Sequence, residues 1–169
     1  MLVIALIIVS LLLVISLFIA WDKIVVGKVP YISIPAPTLA EIIKHINIPN
    51  DAVFYDLGCG DGRVLLAAAH LQPRATYIGI EKAFGPYCIA KLKTLKYANI
   101  HIHRGDILKA QIPSSAIVFC YLLPELLAKL PKFNHLISVE YTVPDRKPTK
   151  SVLLKKHSRL IKRMFFYYS

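Results

Sequence analysis

The stretch 54-FYDLGCGDGRVLLAAA-69 decides how this chain folds. It joins an apolar run ending in Asp56 to a second apolar run at helical spacing, with Gly58, Gly60 and Gly62 at every second position between them. The first run reads as a buried strand and the second as a helix packed against it. In an open sheet of parallel strands, ligands lie at the turn that joins the first strand to its helix. Glycines there admit positive φ and let a ligand touch main chain directly.

The same alternation continues outward from this turn. AVFYDLG, TYIGIE, NIHIHRGD, AIVFCYL and LISVEY predict five strands, with GRVLLAAAHL, PYCIAKLKTL and PELLAKL as the helices between them. Ahead of them, Thr38 opens TLAEIIKHI, whose Leu39, Ile42, Ile43 and Ile46 recur at helical spacing until Pro49-Asn50-Asp51 stops it. Apolar strands alternating with helices are the pattern of an α/β fold, a mostly parallel sheet covered on both faces. SVLLKKHSRLIKRMFFYYS holds two strand-like runs and little helical periodicity, which predicts an antiparallel pair at the C-terminal edge of the sheet.

Residues 1–21, MLVIALIIVSLLLVISLFIAW, contain no charge and two serines. About 20 such residues at 1.5 Å each cover the roughly 30 Å hydrocarbon core of a bilayer, so the segment predicts one N-terminal transmembrane helix. It has neither the basic n-region nor the small-residue cleavage site of a secretory signal, so it reads as an uncleaved anchor. All 21 Lys and Arg follow it, which places the remainder on the cytoplasmic side of a single-pass membrane protein, with Trp21 at the interface. Residues 22–36, with Gly27, Pro30 and Pro35, read as a linker, and residues 37–169 as one domain.

The net charge of +11 therefore falls on the residues that follow the apolar segment. Between Arg146 and Arg163 there are eight Lys or Arg and no acid, a surface suited to phosphates, anionic headgroups or an acidic protein. Cys59, Cys88 and Cys120 form no CxxC pair and no even set, which argues against a disulfide framework. His101 and His103 share one face of a strand without further ligands at zinc spacing, so no metal site is expected.

The acids around the glycine turn select its ligand. Its spacing is G-x-G-x-G, not the dinucleotide G-x-G-x-x-G, and no Lys-Ser/Thr pair follows as in a phosphate-binding loop. Asp56 and Asp61 would repel a phosphate and attract an ammonium group. Glu81, at the end of the second strand, is placed to accept from both hydroxyls of a ribose. Asp106, ending the third strand, is placed to accept from an adenine amino group, with Ile107 as an apolar edge for the ring. A ligand with an amino acid end, a ribose and an adenine but no phosphate is S-adenosylmethionine. Cys59 lies within the loop as a small cofactor-side residue, with no covalent role.

At these residues the chain resembles the class I S-adenosylmethionine-dependent methyltransferases. FYDLGCGDGRV is similar to their glycine loop, YIGIE to their ribose-binding strand and HRGDIL to their adenine-side turn, over about residues 30–145. PYISIP, DLGCGDGRVLLAAA and CYLLPELLAKL resemble, more narrowly, a small membrane-associated branch. That branch includes the mitochondrial lysine methyltransferases of the ATP synthase c subunit and the adenine nucleotide translocase, with bacterial relatives. The resemblance implies a Rossmann-like sheet and a cofactor contact at Tyr31, in the segment where the branch carries P-Y-V-P-T-P. Pro30, Tyr31 and Pro35 match that motif, whereas Ser33 and Ile34 replace its middle proline and threonine.

Methyl transfer needs a nucleophile held in line with the methyl group and no obligatory base. By analogy with the fold, Tyr121 follows the fourth strand beside the methyl group and orients an amine, and Pro124 shapes the turn and opens the next helix. Glu140, after the fifth strand, would draw a lysine ammonium inward. Tyr-Leu-Leu-Pro is not the Asn/Asp-Pro-Pro-aromatic turn common in nucleic acid amino-group enzymes, and no RNA-binding module is appended. The expected substrate is thus a lysine of a membrane or membrane-adjacent protein, and nucleic acid is disfavoured. The competing reading is a non-catalytic S-adenosylmethionine-binding or scaffold protein, suggested by Ser33 and Ile34 and by the lack of a substrate-recognition insertion. The sequence carries no signal for oligomeric state.

Overall fold

The computed structural model describes the backbone of residues 1–26, 32–155 and 159–168, without the side chains of residues 18, 19 and 21–26. Two compact units are present, Met1–Tyr31 and Ile32–Ser169.

The first unit carries helix α1, Leu2–Val26, which runs past the end of the uncharged segment at residue 21. Its described apolar side chains are exposed all round, from Leu2 at 75% to Leu17 at 61%. Among the described residues no helix is long and apolar enough to cross a membrane, so the expected spanning helix is not found there. Residues 18, 19 and 21 of the uncharged segment lie outside the described side chains. Trp21 and most of the linker expected over residues 22–36 lie outside the described side chains.

The second unit is a seven-stranded sheet in the order β3-β2-β1-β4-β5-β7-β6. Its strands are β1 (Val53–Leu57), β2 (Thr76–Glu81), β3 (Ile100–Arg104), β4 (Ile117–Cys120), β5 (His135–Val139), β6 (Lys150–Leu153) and β7 (Arg163–Tyr168). The first five pair in parallel, and β7 pairs antiparallel with both β5 and β6, as the alternating pattern and the C-terminal pair of runs predict. The helices are α2 (Ala36–Lys44), α3 (Arg63–Leu71), α4 (Phe84–Thr94) and α5 (Pro124–Leu127).

Two helix boundaries differ from the periodicity. Helix α2 starts before Thr38, with Pro35 as N-cap and Pro37 in the first turn, where its fixed φ suits the helix and its missing N–H costs nothing. PELLAKL predicts seven helical residues, but α5 closes after one turn. Lys129 and Leu130 donate to carbonyls three residues back, and Pro131 disfavours helical geometry at the residue before it.

Alternation along the strands makes two cores. Phe54, Phe119, Ile137 and Phe166 face a layer built from α2, α3 and α4, where Ile42, Leu65, Ala68 and Ala90 are fully buried. Tyr55, Leu57, Val118, Leu136 and Tyr167 face the other side, covered by Ile107, Leu122, Leu127 and Phe133. In β2 the layer is so close that a Cβ at Gly79 would lie 2.7 Å from Cys59 Sγ, 2.7 Å from Leu65 Cδ1 and 3.0 Å from Ile102 Cδ1. Overpacking of this kind costs about 1–3 kcal/mol. Gly79→Ala is therefore expected to lower the unfolding free energy by that amount and so the urea midpoint, and an unchanged urea unfolding curve would contradict the packing.

Candidate active site

Asp56 is the fourth residue of β1, and strand alternation sends its side chain to the same face as Phe54, under α3. It is 3% exposed, and its Oδ2 is buried without a hydrogen-bond partner. Burial, followed by the neighbouring charges of Glu81 and Asp61, raises its pKa to about 8. At neutral pH the carboxyl therefore holds its proton. An unpaired buried oxygen costs about 1–3 kcal/mol, and the group that would relieve it among acids is a cationic donor.

The chain after Asp56 turns through three left-handed residues, Gly58, Gly60 and Gly62, at φ 76°, 56° and 77°. A side chain at Gly58 would also meet Leu122, whose Cδ2 lies 3.1 Å from the Cβ position. The loop is pinned to β2: the amides of Gly58 and Cys59 donate to the Ile80 carbonyl at 2.9 and 3.1 Å. Glu81 completes this brace. Its Oε2 accepts from Gly60 N and its Oε1 from Ala83 N, both at 2.8 Å. Each carboxylate oxygen has a further lone pair, so the same group can also take hydroxyl donors. Cys59 is buried, and burial together with the charges of Asp56 and Glu81 pushes its thiol pKa up, which leaves an inert small residue.

Asp61 is committed differently from the sequence expectation. Its oxygens accept from Arg63 Nε and Nη2 at 2.8 Å each and from Lys93 Nζ at 2.6 Å. Despite its partial burial, these two cations hold its carboxyl below the usual range, so it serves the loop and not an ammonium ligand. Arg63 Nη1 also donates to the Ile34 carbonyl at 2.9 Å, tying the segment ahead of α2 to the loop. The Ile34 side chain is buried in the core, which accounts for an apolar residue at this position. Tyr31, the expected cofactor contact in that segment, lies outside the described residues.

Asp106 follows β3 and caps a short 3-10 turn at Ile107–Lys109, accepting from Leu108 N at 3.0 Å. Its other oxygen pairs with Lys82 Nζ at 3.3 Å. The Leu108 amide, then Lys82, lowers its pKa despite some burial. Ile107 is buried against the sheet. Register places Glu81 beside Arg104, so Glu81 and Asp106, just beyond β3, stand at the same end of the sheet as the glycine loop.

Tyr121 and Glu140 directly follow the adjacent strands β4 and β5, whose register pairs Cys120 with Ser138. Tyr121 is half-buried, and burial, Tyr141 and Glu140 together raise its phenol pKa, so it stays protonated. Pro124 is the first residue of α5. Glu140 adopts φ 66°, a conformation uncommon outside glycine. Its Oε2 accepts from Lys162 N at 2.5 Å and Arg163 N at 3.2 Å, and its own amide donates to the Arg163 carbonyl. That carboxylate thus clamps the entry of β7 to the end of β5, a structural task the sequence reading did not assign.

Asp56, the three glycines, Glu81, Asp106 and Tyr121 all stand at or just beyond the carboxyl ends of parallel strands. Among the described residues no group of three His, Cys, Asp or Glu could hold a metal ion. A cleft lined by Gln111, Pro113, Lys132 and Phe133 precedes β4 and β5 and so lies at the opposite end of the sheet. The residues at the carboxyl end fit S-adenosylmethionine: an unpaired buried carboxyl for its ammonium, a bare main-chain turn, and an acid for its ribose.

A family model described as "Putative methyltransferase" matches residues 50–150. The chain is 24% identical over 159 residues to a "Protein-lysine N-methyltransferase" of Saccharolobus islandicus, covering 84% of this chain and 94% of that protein. It is 33% identical over 100 residues to a "tRNA (guanine-N(7)-)-methyltransferase" of Erythrobacter litoralis, covering 56% of this chain and 42% of that one. The fold is shared with an RNA methyltransferase from Salinibacter ruber solved with S-adenosyl-L-homocysteine, at a TM-score of 0.67 and 23% identity, over 80% of this chain and 92% of that chain.

Proposed function

We propose that this chain, which belongs to the methyltransferase family matched over residues 50–150, methylates a lysine of a membrane or membrane-adjacent protein. The methyl donor is S-adenosylmethionine, which when bound supplies a methyl group on a sulfonium. The observation that carries the substrate half of the reading is the match to a protein-lysine enzyme over nearly the whole of both chains. The exposed apolar surface of α1 and the basic 146–163 region support the membrane half.

In this reading Asp56 would release its proton to water and hold the ammonium end, and Glu81 would accept from the ribose while still bracing Gly60. Asp106 and Ile107 border the adenine, Cys59 lines the loop, and Tyr31 adds the contact implied by the related branch. The protonated Tyr121 phenol orients the lysine amine, which must lose its own proton to water before it can attack. Pro124 holds the turn in which Tyr121 sits. Glu140 contributes its negative charge, drawing the lysine ammonium toward that turn. Residues 1–21 would act as the membrane anchor, with the rest of the chain in the cytoplasm.

A second reading, methylation of an RNA base, is favoured by the similarity to the Erythrobacter tRNA enzyme and by the net charge of +11. Labelled methyl incorporation distinguishes the two when the full chain is supplied to membrane, soluble-protein and RNA fractions, with Asp56→Asn as the background. Label on lysines of the membrane fraction is expected. Label mainly in RNA would replace the proposal by the second reading, and label equal in membrane and soluble proteins would remove its membrane half.

A further inference from the structure

The face of α4 that turns away from the sheet is not explained by cofactor or substrate chemistry. On its inner side Ala90 and Thr94 are buried, and Ala90 packs within 3.3 Å of the Cβ position at Gly62. On its outer side Ile89 is 47%, Leu92 69% and Leu95, its C-cap, 76% exposed. Three-residue steps put these on one stripe of the helix. Single exposed leucines are ordinary, but three along one stripe are an apolar strip with nothing over it in the described structure.

The charges beside the strip have one sign. Helix α4 carries Lys91 and Lys93, Lys96 follows it, and it contains no acid. Lys93 is turned to Asp61 and the Lys96 Nζ rests 5.4 Å from the centroid of the Tyr97 ring, so Lys91 stands free of these contacts and both Lys91 and Lys96 border the apolar strip. The His70 ring meets Tyr97 at 5.7 Å, bringing the C-terminal ends of α3 and α4 together, and Leu71 at that end is 58% exposed.

We propose that the outer face of α4, built from Ile89, Leu92 and Leu95 between Lys91 and Lys96, docks on the surface of an anionic bilayer. A helix with an apolar strip and a lysine border lies in the plane of the headgroups, apolar side chains inserted and ammonium groups on the phosphates. The lysines would gain little on a neutral surface, and the strip would gain little from RNA, since leucine and isoleucine offer no face for a base to stack on. The inference rests on the membrane half of the proposed function. It adds that the catalytic domain itself touches lipid, in addition to any hold exerted by α1. Docking through one flank would fix the orientation of the domain over the bilayer, so that lysines close to the headgroups are presented in one geometry.

The test uses the full chain in the Cys88→Ser background with Leu92→Cys carrying an environment-sensitive fluorophore; Cys59 and Cys120 are buried and stay unlabelled. Vesicles of phosphatidylcholine alone, or with about one-third phosphatidylglycerol, contain a lipid-borne quencher. Flotation reports membrane attachment of any kind, and the label reports α4. Expected are a blue-shifted, quenched label on anionic vesicles, at least a twofold smaller response on neutral ones, and the same loss in Lys91→Glu/Lys96→Glu or at high salt. A chain that floats with its label unaffected overturns the inference and leaves the anchor standing. A chain that does not float overturns both. A shift that grows with protein concentration without vesicles identifies a second copy as the occupant, and a shift produced by RNA identifies nucleic acid; either overturns the lipid assignment.

Discussion

Asp56→Asn is expected to make the protein without cofactor more stable at pH 8 and far weaker in binding S-adenosylmethionine. Both effects come from one buried carboxyl whose pKa is raised from 3.8 to about 8. Between these values the folded protein holds a proton that the unfolded chain has released, so stability falls as pH rises across the window and levels off above about 8. The slope is about 1.4 kcal/mol per pH unit, so by pH 8 the asparagine variant should lead the wild type by several kcal/mol. The variant cannot supply a charge to the ligand ammonium. Removing one member of a buried charge pair costs about 2–5 kcal/mol, which is roughly 30-fold to several-thousand-fold in Kd.

The wild type should show a binding optimum near pH 8. Below it, Asp56 must lose a proton for the ligand to bind; above it, the free ligand's α-amino group, with a pKa of about 7.7–8.0, begins to lose its own. Calorimetric titration between pH 6 and 9, paired with thermal unfolding of both proteins, measures all of this. A Kd independent of pH below 8, or an asparagine variant that binds within twofold of wild type, would falsify the assignment.

That Asp56 matters was legible in 54-FYDLGCGDGRVLLAAA-69, since an acid ending an apolar strand before spaced glycines is a local pattern. Its unpaired oxygen was not legible, because burial from all sides is supplied by elements distant in the chain. The parallel strands and the antiparallel edge followed from periodicities confined to short windows. Helix α5 did not, because Pro131 outweighs the apolar spacing of PELLAKL. Asp61 shows the same limit from the other side. Its partner Lys93 is 32 residues away and meets it only because α3 and α4 lie together, so no reading of the loop by itself could remove Asp61 from the ammonium site. Glu140 lost its apparent freedom for a similar reason, as Lys162 and Arg163 reach it through the pairing of β5 and β7.

Glu81 gives the second large effect, and it can be separated into a bracing part and an electrostatic part. Glu81→Ala leaves the amides of Gly60 and Ala83 without acceptors, each at about 1–3 kcal/mol, and also removes the proposed ribose contact. Cofactor affinity should therefore fall by at least about 100-fold, with part of the loss shared by stability. Glu81→Gln keeps an acceptor for one of these amides but removes the charge that helps raise the Asp56 pKa. Asp56 then ionises more readily, so the acid side of the binding profile shifts to lower pH. The sign is specific: the deficit of Glu81→Gln relative to wild type should be smaller at pH 6 than at pH 8, because the wild type alone carries the full cost of deprotonating Asp56. In the Asp56→Asn background there is no carboxyl to ionise, and the glutamine substitution should have the same effect at both pH values. This double-mutant cycle, read by Kd at pH 6 and pH 8, isolates the coupling between the two acids from the bracing of the loop. A deficit that does not change with pH in the Asp56 protein would mean that Glu81 acts on the loop and the ligand alone, and that the buried carboxyl owes its raised pKa to desolvation without its neighbour.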